Sequence, residues 1–204
     1  MVGDLAWALA GGGAGWVAAR AALLVTPGVE LGTRLPARRE QGLGLAMGMV
    51  AGYLASRGAG VELYGLLCSL ALIPHALIDL RHRLVYPALV LASIALALVG
   101  RALSGDLASG LFGLLIGCGV LLLFYGLGRA AYGAEVLGGG DVMLASMIGA
   151  MAGAERVLPV LIGGAILGAV WALLLLVTRR ASRSSHIPYG AALCIAAILS
   201  LAGG

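Results

Sequence analysis

Long apolar runs, each broken by an arginine or a turn residue, leave this chain few ways to fold. Of its 204 residues 61% are hydrophobic and only 11% charged, and the mean hydropathy is +1.06. A soluble domain carries roughly 25% charged and 45–50% apolar residues. The expected class is therefore all-α, a polytopic integral membrane helix bundle. Runs at Leu5–Val25, Gly42–Ala55, Val61–Leu80, Leu84–Gly100, Leu107–Leu127, Val142–Gly153, Val157–Val177 and Ile187–Leu201 predict about eight transmembrane helices. No polar block of domain size interrupts them, so residues 1–204 read as a single transmembrane domain. Several runs, the second and sixth above all, fall short of the ~20 residues that cross a bilayer upright. Near the start Asp4 replaces a basic residue and the apolar run continues past Leu24, which reads as a spanning helix rather than a cleaved signal peptide.

The net charge of +4 rests on arginine alone, for the chain has no lysine. Arg34, Arg38 and Arg39, then Arg81 and Arg83, then Arg129, then Arg179, Arg180 and Arg183 fall in alternate loops, and the other loops carry only Arg57, Arg101 and Arg156. The positive-inside rule puts the arginine-rich side in the cytoplasm and both termini outside. No basic stripe interleaved with aromatics argues for nucleic acid. Cys68, Cys118 and Cys194 sit singly inside apolar runs, which indicates neither a disulfide framework nor a zinc site.

Glycines recur every four residues at Gly44, Gly48 and Gly52, at Gly113 and Gly117, and at Gly149 and Gly153. Small residues so spaced let helix backbones approach closely, and packing is the whole of their expected role. Pro74 inside the third run predicts a kink, and Pro159 marks a helix start.

Two acids stand out in these surroundings. Asp79 follows Ala71-Leu72-Ile73-Pro74-His75-Ala76-Leu77-Ile78, where an aspartate at the centre of a span costs ~2.5–3.5 kcal/mol on insertion scales; it is either functional or a boundary residue paired with Arg81 or Arg83. His75 lies four residues earlier on the same face, placed to bond Asp79, to line its cavity or simply to pack. Asp141 follows Gly138, Gly139 and Gly140, whose bare backbone lets another peptide chain come close, although an aspartate there also caps a helix. Both acids fall at cytoplasmic ends of runs, and so at one membrane level.

Two close carboxylates cannot both ionise easily, and one retains a proton. The ionised member then takes a proton from water that attacks a carbonyl while the other donates one, chemistry that needs no metal or cofactor. Asp79 ends its helix and Asp141 begins one, so the helix dipoles make Asp141 the more readily ionised. The rival class is a small transporter or channel with aspartates that bind cations or relay protons.

The Gly-x-Gly-Asp signature at Gly138, Gly140 and Asp141, with Ile78-Asp79-Leu80-Arg81-His82-Arg83, resembles the type IV prepilin peptidase family, eight-span aspartyl proteases. His186-Ile187-Pro188-Tyr189-Gly190 resembles that family's approach to the last helix, and Arg34-Leu35-Pro36 the end of its first. The resemblance makes Asp79 and Asp141 the catalytic pair, with Glu135 and the three glycines in support; His75 joins the supporting set by its helical spacing alone. It implies cleavage of the leader from prepilin-like protein substrates at the cytoplasmic face of the inner membrane. Membrane lipid is the other expected partner, nucleic acid is not one, and homo-oligomerisation stays open. Glu135, Glu30 or Glu40 would attract the basic leader. The chain departs from the family at Met143, where a lysine is common, and at Tyr86-Pro87-Ala88 in place of Pro-Asp or Pro-Asn. It also has no cysteine between Arg34 and Gly42, where many members carry a paired-cysteine domain. The case for N-methylation is correspondingly weaker, and a catalytically impaired member is the third reading.

Overall fold

A computed structural model describes residues 2–25, 41–49, 53, 63–132, 138–178 and 189–202. Their secondary structure is helical throughout, as expected where a backbone in lipid must satisfy its own hydrogen bonds. The helices are α1 (Val2–Val25), α2 (41–49), α3 (Leu63–His82), α4 (Pro87–Leu103), α5 (Leu107–Tyr132), α6 (Gly139–Ala152), α7 (Val157–Val177) and α8 (Tyr189–Ala202). Among the described residues α3, α5 and α7 are long and apolar enough to cross a membrane, whereas α4, α6 and α8 are shorter. The chain is an integral membrane helix bundle.

Local chemistry sets the boundaries. Pro87 opens α4 behind an extended Tyr86, where its missing N–H matters least. Helix α6 stops at Gly153, whose φ of +79° suits glycine. Helix α3 runs unbroken through Pro74, which removes one backbone donor from that turn. Within it the His75 ring reaches the Ala71 carbonyl, Nδ1 to oxygen 2.9 Å.

Helix α6 is the centre of the bundle. Every residue from Leu144 to Ala152 is buried, consistent with a helix that is apolar all round. Helices α4, α5, α7 and α8 pack on it, and α3 packs in turn on α8. Leu72, Ile73, Leu144, Met147, Ile148, Met151 and Leu193 are the largest apolar side chains of this core. The outer faces of α5 and α7 present Phe112, Leu115, Leu123, Ile166 and Leu173, side chains suited to lipid.

The spaced glycines sit at backbone contacts. A Cβ on Gly113 would strike the Gly149 carbonyl, one on Gly117 the Ala145 carbonyl, and one on Gly15 in α1 the Gly44 carbonyl of α2. Close backbone approach supplies the dispersion that lipid cannot outcompete. Gly52 lies outside the described residues.

Candidate active site

Asp79 sits where α3 ends, beside the start of α8, and Asp141 where α6 begins, within electrostatic reach of it. Asp141 occupies the first turn of α6, behind an extended Gly138. Its N–H donates to the Gly138 carbonyl at 3.0 Å, and Gly138 N–H donates back to Asp141 Oδ2 at 3.2 Å. The carboxylate therefore does cap its helix, a role that occupies one oxygen. Asp141 remains half-buried at an edge where Gly138 and Gly139 are exposed.

Asp79 lies in the last turn of α3 and is 6% exposed. A buried carboxylate requires donors, and Ala191 N–H in the first turn of α8 donates to its Oδ2 at 2.7 Å. The dipole of α8 thus favours negative charge at Asp79, which offsets the unfavourable end of α3. The helix-end asymmetry expected from sequence is not the whole field at this residue. The charges of Asp141 and Arg83 also act on Asp79, and Cys194 of α8 feels both aspartates. Arg83 takes φ +52°, and its N–H donates to the Asp79 carbonyl at 2.9 Å, closing α3 with a left-handed turn. An arginine in that conformation costs about 1–2 kcal/mol.

The three glycines divide by their surroundings. A Cβ on Gly140 would lie 2.8 Å from Val85 Cγ2 and 2.9 Å from its Cβ, so the α3–α4 connection packs against that backbone. A Cβ on Gly139 would meet nothing within 4 Å, and one on Gly138 only ordinary contacts. The variable position of the signature thus coincides with open space.

His75 is buried with Nδ1 at the Ala71 carbonyl, and its Nε2 has no hydrogen-bond partner among the described residues. It lines a small space with Ile78, Val85, Leu89 and Leu144. Met143, where a lysine is common in the family, packs against the apolar core. Glu135, Glu30, Glu40, Arg34-Leu35-Pro36 and His186-Ile187-Pro188 lie outside the described residues. No group of three or more His, Cys, Asp or Glu side chains placed to hold a metal occurs among the described residues.

Ala191, Val85 and Leu144 escaped the reading of the sequence. Pro188 and Gly190 do signal a helix start, hence spare amide donors, but nothing in the sequence pairs those amides with an acid 112 residues earlier. An apolar Val85 and Leu144 carry no local mark at all.

The family described as the Type IV leader peptidase family matches residues 66–173, a segment that holds both aspartates and all three glycines. A prepilin leader peptidase/N-methyltransferase of Stutzerimonas stutzeri is 33% identical over 168 residues, covering 78% of this chain and 57% of that protein. The protein of the same name from Pseudomonas aeruginosa is 30% identical over 164 residues, again 78% and 57%. That of Xanthomonas campestris is 33% identical over 121 residues, 58% and 42%. The chain spans little more than half the length of the first two relatives and less than half of the third. No solved structure matches it.

Proposed function

The chain belongs to the type IV leader peptidase family, and from that premise we propose that it is an aspartic endopeptidase that cuts the leader from prepilin-like proteins at the cytoplasmic face of the inner membrane. The observation that carries this reading is the pairing of a buried Asp79 with a half-buried Asp141, brought from different helices into electrostatic reach inside the matched segment. Reaction follows from two carboxylates sharing one proton. The ionised member accepts a proton from water as its oxygen adds to the scissile carbonyl, and the protonated member donates to the developing oxyanion. Collapse of the gem-diol intermediate breaks the C–N bond as the proton taken from water passes to the leaving amine and a hydroxyl proton returns to the carboxylate that had donated its own.

The arrangement suits a peptide that is basic and then apolar. The basic leader stays in the cytoplasm, the apolar segment lies along the bundle, and the scissile bond reaches the exposed backbone at Gly138 and Gly139. The cytoplasmic orientation draws support from the arginine-rich loops, Arg81 and Arg83 among them. Arg83 supplies a cation beside the pair, whereas position 143 does not. The proposal covers leader cleavage and leaves N-methylation to the longer relatives whose names include it.

The test is co-expression with a pilin-like precursor. Asp79→Asn and Asp141→Asn should each leave the precursor uncut while the protein accumulates in the membrane to the usual level. Processing retained in either variant would refute the pair.

A further inference from the structure

Helix α3 carries one aspartate and α6 the other, and α8 packs against both helices. We propose that the first turn of α8, Gly190 together with the Ala191 amide, is a positioning element that sets the Asp79 carboxylate against Asp141. The inference rests on the aspartyl protease reading above.

Tyr189, Gly190 and Ala191 are the first residues of α8, so their N–H groups have no acceptor within the helix. One of these spare donors, Ala191 N–H, is spent on Asp79 Oδ2 at 2.7 Å in a buried setting. A bond from an amide to a carboxylate is roughly twice as strong as one between neutral groups, and a low local dielectric strengthens it further. With Oδ2 held by Ala191, Oδ1 is the oxygen left to share a water or a proton with Asp141.

Gly190 makes that approach sterically feasible. A Cβ there would lie 3.1 Å from both Cγ and Oδ2 of Asp79 and 2.7 Å from Leu144 Cδ1 of α6. The bare backbone is thus wedged between the helix that bears Asp79 and the helix that bears Asp141. The turn is itself anchored, because the Tyr189 ring packs where a Cβ on Gly168 of α7 would meet it at 3.1 and 3.4 Å. The charged and titratable groups that face Asp79 are Asp141 from α6, Arg83 beyond α3 and Cys194 from α8. None of them replaces a fixed amide donor.

Ala191→Pro removes the one N–H at a position in the first helical turn where proline is tolerated, and Ala191→Gly keeps it. In detergent with a purified precursor, the proline variant should lose about 100-fold in kcat, the scale of a small misplacement of a catalytic group. KM should hold, and the acidic limb of the pH–rate profile should move; the glycine variant, which keeps the donor, should lose far less than the proline variant and keep the parental pH limb. Gly190→Ala should lose activity similarly, with partial recovery in Gly190→Ala/Leu144→Ala, where the 2.7 Å collision is gone. Should Ala191→Pro fail to fold, that alanine pair decides the matter. Parental cleavage by a folded Ala191→Pro, or by Gly190→Ala, overturns the positioning role while leaving the protease reading intact. An inactive parent, or cleavage that survives Asp79→Asn, removes the protease reading and the inference with it.

Discussion

At the residue scale, the three glycines ahead of Asp141 do different things, and the difference can be measured. Gly140 is fixed by Val85, so Gly140→Ala must displace the α3–α4 connection or the start of α6. Overpacking of this kind costs about 1–3 kcal/mol, and at this position it also moves Asp141. Gly139→Ala points a methyl into space that is open in the free protein and should not lower the melting temperature, so any loss of cleavage there comes from the approaching peptide. A thermal melt and a cleavage assay on the two variants check the contrast, and equal effects would contradict it. His75 shows how a neighbour in sequence can differ from a partner in space. Helical spacing placed it near Asp79, yet its Nδ1 lies at the Ala71 carbonyl one turn back in its own helix.

At the element scale, α6 is held at both ends. Its last carbonyls, Ala150 and Met151, accept from Arg101 Nε at 3.2 Å and Nη2 at 2.9 Å. Tyr64 Oη adds a bond to Met151 at 3.2 Å, and the Arg101 guanidinium lies 5.5 Å from the Tyr64 ring and pairs with Asp106. A cation at a helix C-terminus also opposes the dipole's negative end. Arg101→Ala should therefore lower stability by about 1–3 kcal/mol. The check is the melting temperature in detergent, and no change there would mean that α6 is held by packing alone. Apolar runs broken by charges or turn residues located the helices, and among the described residues the bounds fall within a few residues of those runs, the end of the second run lying outside them. The signature glycines and both aspartates were legible for the same reason, since charge in an apolar run is rare. Arg101 was not. As a sequence symbol it was one loop charge among several, and only the fold brings its side chain to carbonyls 49 and 50 residues away.

At the scale of the whole molecule, the helices differ in how much of a bilayer their length could cross. Helices α6 and α8 have 14 residues each, roughly 21 Å, against a hydrocarbon core of about 30 Å. Helix α5, with 26 residues, reaches about 39 Å. The opposite ends of α3, α4, α5, α6, α7 and α8 gather around a cavity of about 630 Å³ that includes Tyr64, Arg101, Ser109, Met151, Arg156 and Leu201. In a background with Cys118 replaced, Gly139→Cys should react with an impermeant maleimide only from the cytoplasmic side, and Ser104→Cys only from the other. Labelling of both from one side would contradict the topology. Cleavage of a purified prepilin-like precursor by the purified protein shows whether Asp79 and Asp141 act as one catalytic pair. Asp79→Asn and Asp141→Asn should each lower the rate by at least about 1,000-fold with unchanged melting, and the double variant should be no worse than either. A folded single variant that still cuts at a tenth of the parental rate or better would contradict it.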